Sequence, residues 1–147
     1  MSAVTGRMIN LSAQESLYLL GGARLGRLVY EQRDSMVIRP GAHVLEYGRL
    51  IVRAPVPTVV LRRRGKVTYH VDQIESAAGI GWAVTAIGPA EIVADEDEAA
   101  HYRRTLFGWT HGPHDALLRI HPQTVTGFRF AAGSPSTTGA QGRSRSR

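Results

Sequence analysis

The chain has 147 residues, 43% of them hydrophobic, which is enough for one domain with a substantial buried core. It has no cysteine, so disulfides, thiol nucleophiles and thiolate metal sites are excluded. The formal net charge is +6, but three of the eighteen basic residues lie in the last five positions. The remainder has fifteen basic and twelve acidic residues, so the part expected to fold is only mildly basic.

These features limit the cellular context and the classes of partner. No apolar run approaches the roughly 18 residues that a membrane-spanning helix needs, and the N-terminus lacks the pattern of a secretory signal. We therefore expect a soluble cytoplasmic protein with no membrane association. Specific nucleic-acid binding is not expected either, because the arginines of the tail have no aromatic residues between them for base stacking.

The N-terminal elements are predicted as follows. Residues 1–10 show no periodicity and are expected to form a flexible arm. Ser12 and Glu15 have the spacing of a capping box, which predicts a helix that ends at Gly21-Gly22. Beyond the helix the pattern changes to that of strands. About six are predicted: Leu25–Tyr30, Met36–Ile38, Val44–Tyr47, Leu50–Val52, Lys66–Val71 and a long strand bent at Gly88-Pro89 that covers Trp82–Val93.

A second helix is predicted after residue 94. Asp95 or Asp97 can cap it, and Arg103-Arg104 near its end suit the helix dipole. Two strands follow, 116–120 and 124–130, and residues 132–147 are expected to form a disordered tail. Short strands with tight turns and no crossover helices predict a mainly β protein, an antiparallel split β-barrel over residues 11–131.

Four segments carry a more specific pattern: LLGGARLGRL from Leu19, HVDQIE from His70, GWAVTAIGPAEIV from Gly81 and RIHPQTVTGFR from Arg119. In sequence and in order they resemble segments of the pyridoxamine 5'-phosphate oxidase-like, FMN-binding split-barrel family, particularly its short bacterial members. The resemblance covers about residues 11–130. The resemblance implies a homodimer with FMN or a deazaflavin bound at the subunit interface.

The resemblance also implies a phosphate cradle, formed in the family by an Arg-Thr pair and a lysine a few residues later. Alignment places Arg53 at the arginine, but Ala54, Pro57 and Val59 stand where the threonine, a glycine and the lysine would be. The candidate residues on the phosphate side of the cofactor are Arg53, Ala54, Thr58, Arg62 and Arg63. Alternatively, Arg53 is an ion-pair partner at a strand end and Arg62–Arg64 are a basic turn that faces water.

On the ring side of the cofactor, the resemblance places Pro40, Gly41 and His43 next to the flavin. Trp109 and Trp82 are further candidates for contact with the cofactor. The alternative for His43 is a structural hydrogen bond within a strand, and for each tryptophan a place in the core or the dimer interface.

Other kinds of site find little support. His111, His114 and Asp115 are close in sequence, but Gly112 and Pro113 force a loop and no further ligand is evident, so no metal site is predicted. Neither a nucleophile elbow nor a glycine-rich phosphate loop is present. Two hypotheses remain: a redox protein that uses a flavin or deazaflavin on an unidentified small substrate, and a split-barrel binding module without a tightly bound flavin.

Overall fold

The computed structural model describes residues 5–61 and 65–133. Within these ranges the chain forms eight strands, two α-helices and a short 3-10 helix at Thr58–Leu61. The helices are α1 (Ala13–Gly22) and α2 (Glu96–Thr105). The strands are β1 (Gly6–Leu11), β2 (Leu25–Gln32), β3 (Ser35–Glu46), β4 (Arg49–Ala54), β5 (Lys66–Glu75), β6 (Ile80–Ile92), β7 (Ala116–Ile120) and β8 (Thr124–Ala132).

All strand pairs are antiparallel, and they close into a barrel as the sequence predicts. The order is β1-β8-β6-β5-β2-β3-β4-β7, and an additional pairing of β7 with β6 closes the six strands from β6 to β7 into a ring, with β8 and β1 continuing the sheet beyond β6. Strand β6 makes this closure possible because its first part pairs with β5 and β8 and its last residues pair with β7. A Cβ atom at Gly88, where β6 changes partner, would lie 1.9 Å from the carbonyl oxygen of His121. Glycine therefore permits the close approach at the predicted bend.

The structure corrects the prediction in three places. The N-terminal arm is wrong for residues 6–10, which belong to β1 and pair with β8; residues 1–4 lie outside the described ranges. Five of the six β1 residues are exposed. Because β1 is held by backbone pairing and buries almost no side chains, its sequence has no alternation of apolar and polar residues that would predict a strand. The predicted strands 36–38 and 44–47 are one strand, β3, that continues through Pro40. Ala132 belongs to β8, so the predicted tail begins too early, and its residues 134–147 are not among those described.

The two helices begin as predicted and pack on different parts of the barrel. The backbone N–H of Glu15 donates to Ser12 Oγ and that of Ser12 donates to Glu15 Oε1, which completes the capping box of α1. Asp95, not Asp97, caps α2. Helix α2 covers the outer face of β3, β4 and β7, where Tyr102 and Leu106 pack against apolar side chains of those strands. Neither helix has the length and apolar composition that crossing a membrane requires, and no other α-helix occurs in the described ranges.

Candidate functional site

A large cleft in the described part of the chain lies between α1 and α2. It has a volume of about 1020 Å³ and is bounded by the end of α1, by β3, and by the last turn of α2 with the loop that follows. We call it the main cleft. A second cleft of about 490 Å³ lies between β2, β3 and Asp72 of β5. Leu25 and Trp109 line both clefts, so the loop after α2 forms a wall between them.

His43, on β3, lies at the wall of the main cleft and is almost fully buried. Its Nε2 is 2.9 Å from the carbonyl oxygen of Leu20 and its Nδ1 is 2.7 Å from the hydroxyl of Tyr69. A carbonyl oxygen can only accept, so we place the proton of the neutral ring on Nε2, and Tyr69 then donates to Nδ1. Burial lowers the pKa of His43 and raises that of Tyr69, which favours this neutral pair.

A pair of glycines makes room for this network. Gly26 and Gly41 face each other across β2 and β3. A Cβ atom at Gly26 would lie 2.7 Å from two atoms of the Tyr69 side chain, and one at Gly41 would lie 3.1 Å from its ring. The Tyr69 hydroxyl is also 3.2 Å from the carbonyl oxygen of Gly41. Gly41, a predicted cofactor residue, thus accommodates Tyr69.

Arg53, the predicted phosphate anchor, is held by the protein itself. Its Nε and Nη2 donate to the two carboxylate oxygens of Asp115 at 3.0 and 2.9 Å. Its Nη1 donates to the carbonyl oxygens of Arg103 and Leu106 at 3.1 and 2.9 Å, at the C-terminal end of α2. Arg103 adds a second ion pair to Asp115 at 2.8 Å. We call Arg53, Arg103 and Asp115 the arginine clamp.

The arginine clamp fixes the loop that carries Trp109. A Cβ atom at Gly108 would lie 2.3 Å from the guanidinium of Arg53, so the loop backbone crosses directly over that group. The hydrogen bond with Asp115 raises the pKa of Arg53, and the same bond, aided by Arg103, lowers the pKa of Asp115. Both residues are therefore charged at neutral pH and bonded to each other, which is the ion-pair alternative considered for Arg53.

The remaining predicted site residues are scattered. Pro40 lines the second cleft, whereas Ala54 is buried in the core and Thr58 is exposed, and neither of these two lines either cleft. Trp82 packs within the main core cluster. Arg62 and Arg63 lie outside the described residues. The structure thus brings His43 and Trp109 together in the main cleft, and Pro40 and Trp109 in the second.

The sequence analysis missed several residues of the main cleft. Phe107 packs on Trp109 with ring centroids 4.9 Å apart, so two aromatic rings form one wall. Tyr102 donates a hydrogen bond to Glu46 on β3, and desolvation together with this carboxylate raises the pKa of Tyr102 to about 12. Arg24 and Arg104 also line the cleft. Arg104 was noted only for the helix dipole, and no local pattern distinguishes Arg24 from a surface arginine.

The candidate metal ligands do not gather around a common point. Asp115 is bound by two arginines, and His111 and His114 form a two-residue bridge in the loop. In residues 5–61 and 65–133 no three histidine or carboxylate side chains come together as metal ligands would.

Comparison with known sequences identifies relatives over most of the chain. Residues 12–129 match the profile of the family described as pyridoxamine 5'-phosphate oxidase. An uncharacterized protein of Mycobacterium tuberculosis is 31% identical over 134 residues, which cover 86% of this chain and 88% of that protein.

Solved structures share the fold. A protein of Corynebacterium glutamicum, whose name refers to pyridoxamine 5'-phosphate oxidase, superimposes with a TM-score of 0.68 at 27% identity over 91% of this chain and 99% of its own. An FAD-binding protein of Mycobacterium smegmatis does so with a TM-score of 0.62 at 29% identity, over 83% of this chain and 97% of its own.

Proposed function

The chain belongs to the pyridoxamine 5'-phosphate oxidase family, and from that premise we propose that it binds a flavin or deazaflavin in the main cleft as a redox cofactor. The observation that carries the proposal is the cleft itself. Its volume of about 1020 Å³ is at the upper end of the range typical for small-molecule sites, and Phe107 and Trp109 supply aromatic rings on one wall. The related M. smegmatis protein, described as FAD-binding, supports a flavin over other ligands.

The residues of the main cleft fit the ring end of such a cofactor, whereas the residues of the predicted phosphate cradle do not fit its phosphate end as well. Trp109 and Phe107 offer a surface for stacking, and the clamped loop holds them in place. At Arg53 four hydrogen bonds already go to protein acceptors, so a phosphate there would have to displace Asp115. A bound flavin would supply hydride or electron transfer at its ring, while the chain positions it and excludes water.

Titration of the purified protein with FMN, FAD and a deazaflavin tests this proposal. We expect binding in the micromolar range or tighter, weakened about tenfold by Trp109→Ala because one stacking surface is lost. Trp82→Phe is the matched control, since Trp82 packs in the core, and it should leave the dissociation constant unchanged. Lack of binding to all three cofactors, or equal losses in both variants, contradicts the proposal.

The redox role has its own measurement. If the protein uses the cofactor for redox chemistry, the midpoint potential of the bound cofactor should differ from that of the free cofactor. The reason is that a pocket that excludes water stabilises the oxidised and reduced states unequally. Spectroelectrochemical titration of the complex gives this shift. An unchanged midpoint potential together with tight binding would contradict the redox role, and the protein would then be a cofactor carrier or a binding module.

A binding module without tightly bound flavin is the second candidate, and the arginine clamp favours it. In the clamp, Arg53 is bonded to Asp115, although the family's pattern assigns this arginine to the cofactor phosphate. Protein that binds neither flavins nor deazaflavins but takes up another planar ligand in the main cleft would support this alternative.

We also propose that two copies of the chain associate through the β2–β3 hairpin. Met36 and Ile38, which are 64% and 56% exposed, alternate along β3 on the same face as Pro40, and Leu25 adds apolar surface on β2. Light scattering after size exclusion should give a dimer, and Ile38→Asp should shift it toward monomer. Tyr47→Asp, on the fully exposed turn after β3, is the control. A monomeric wild-type protein contradicts this proposal.

A further inference from the structure

We propose that Arg24 and Arg104 form the anion-recognition site of the main cleft, in place of Arg53. The inference rests on the proposed function, because it names the groups that would hold the phosphate of a nucleotide-type cofactor there. Both arginines line the cleft and both side chains are exposed. A phosphate needs fixed cationic donors to offset the water that it loses on binding.

The positions of these arginines are fixed by the fold. The backbone carbonyl of Arg24 accepts a hydrogen bond of 2.9 Å from the backbone N–H of His43, which ties the residue after α1 to β3. Arg104 stands in the last turn of α2. Each arginine is therefore near the C-terminal end of a helix, where the helix dipole favours a positive charge. The dipole stabilises the charge without bonding to the guanidinium hydrogens.

Within the described part of the chain, both guanidinium groups keep their donors for a ligand. Among the ion pairs of residues 5–61 and 65–133, none involves Arg24 or Arg104, and neither side chain donates a hydrogen bond to another described residue. Arg53 differs in this respect, because all three of its side-chain nitrogens donate to protein acceptors. Glu46 is the one described carboxylate lining this cleft, and it accepts a hydrogen bond from Tyr102. The free positive charge of the cleft therefore lies at Arg24 and Arg104.

The aromatic wall defines the class of ligand more closely. Phe107 and Trp109 line the same cleft as the two arginines, so a planar ring and an anionic group can be held at once. The site is thus suited to a planar heterocycle that carries a phosphate or pyrophosphate chain.

A comparison of FMN with riboflavin, which lacks the phosphate, tests the assignment. In the double variant Arg24→Gln and Arg104→Gln, the dissociation constant for FMN should rise by at least about tenfold, whereas that for riboflavin should change by less than about twofold. Arg49→Gln is the matched control, because Arg49 is an exposed arginine at the start of β4 that lines neither cleft. It should change neither constant.

Two results would overturn the inference while leaving the proposed function intact: equal losses for FMN and riboflavin in the double variant, or a loss specific to FMN in Arg53→Gln alone. If the wild-type protein binds no flavin and no deazaflavin, the proposed function fails, and calorimetry with inorganic pyrophosphate decides the arginine assignment separately. Pyrophosphate binding that the double variant abolishes supports the assignment. No binding, or equal binding by the two proteins, overturns it.

Discussion

Two polar networks support the main cleft, and they differ in charge, burial and the space they require. The network of His43 and Tyr69 is neutral, lies inside the barrel and fits only because two glycines face each other beside it. The arginine clamp is ionic and lies at the barrel's edge, with Arg53 and Asp115 side chains 16% and 22% exposed. The first network should therefore be sensitive to added volume, and the second to the loss of a charged partner.

The largest effect is expected from adding volume to the neutral network. Gly26→Ala places a Cβ atom 2.7 Å from Tyr69 and 2.8 Å from the backbone oxygen of His70, neither of which can move freely. The free energy of unfolding should fall by about 3 kcal/mol, as measured by denaturant titration. Gly22→Ala is the control, since no atom outside its own helix lies within 4 Å of the added methyl group, and it should be neutral or slightly stabilising. Similar losses of unfolding free energy in both variants would show that the space beside Tyr69 is not what makes this network sensitive to substitution.

Removal of a charged partner from the clamp should have the next largest effect. Asp115→Asn leaves the Arg53 charge partly buried without its counter-ion, and we expect a loss of about 2 kcal/mol in the free energy of unfolding. Glu98→Gln breaks the ion pair of α2 with Arg119, in which Glu98 is 45% exposed, and should cost only about 0.5 kcal/mol.

The same clamp variant should change the surroundings of Trp109. In a Trp82→Phe background Trp109 is the remaining tryptophan, so its fluorescence reports on the loop after α2. Asp115→Asn should shift its emission to longer wavelength, because the clamp no longer holds the loop against the barrel. If Glu98→Gln shifts the emission equally, the clamp is not what fixes this loop.

A smaller effect is expected when a single hydrogen bond of the neutral network is removed. Tyr69→Phe keeps the ring between the glycines but leaves Nδ1 of His43 without its donor, which should cost about 1 kcal/mol. Tyr18→Phe is the control because Tyr18 is 82% exposed, and chemical denaturation should show no change for it. A loss above that of Gly26→Ala would mean that the hydrogen bond, not the space, dominates.

The two networks should respond to acid in different pH ranges. The pKa of His43 is lowered in the fold by burial, so its contribution to stability is complete above the ordinary value of about 6.5 and falls as the pH drops below it. The pKa of Asp115 is lowered by Arg53, so its contribution is complete above about pH 4 and is lost only as the pH falls through the lowered value.

Thermal unfolding measured from pH 8 to pH 3 separates these two pH ranges. We expect these changes in stability with pH to be smaller than the effects of the substitutions described above. His43→Gln should flatten the profile below about pH 6.5, and Asp115→Asn should flatten it below about pH 4. His111→Gln, at an exposed loop residue, is the control for loss of a histidine. A profile that His43→Gln leaves unchanged would contradict the assignment of a neutral buried imidazole.

Local sequence patterns predicted most of the fold because they report on local forces. The capping box at Ser12 and Glu15 depends on residues three apart, and the alternation of β2 follows from burying one face of that strand. The short apolar run of β4 is buried on both faces, because α2 covers the side that points away from the barrel interior. Strand β1 was missed because its pairing with β8 uses backbone groups and leaves its side chains exposed. The continuity of β3 through Pro40 was missed because a proline alone favours an interruption.

The candidate site was less predictable, as Arg53 shows most clearly. Its residue type and position suit a phosphate, and the ion-pair alternative could not be assigned a partner, since Asp115 is 62 residues away in sequence. His43 was correctly considered for a structural hydrogen bond, but its partners Leu20 and Tyr69 come from α1 and β5. The roles of Arg24 and Arg104 depend on the two helix ends meeting at one cleft.

The sequence by itself determined the antiparallel barrel, the two helices and the family, because these follow from periodicity, caps and motifs that each lie within a few residues. Only the tertiary structure decided which arginines are bonded to the protein and which remain available. A guanidinium is charged wherever it stands, and whether it can bind a ligand depends on which acceptors the fold brings within about 3 Å of it.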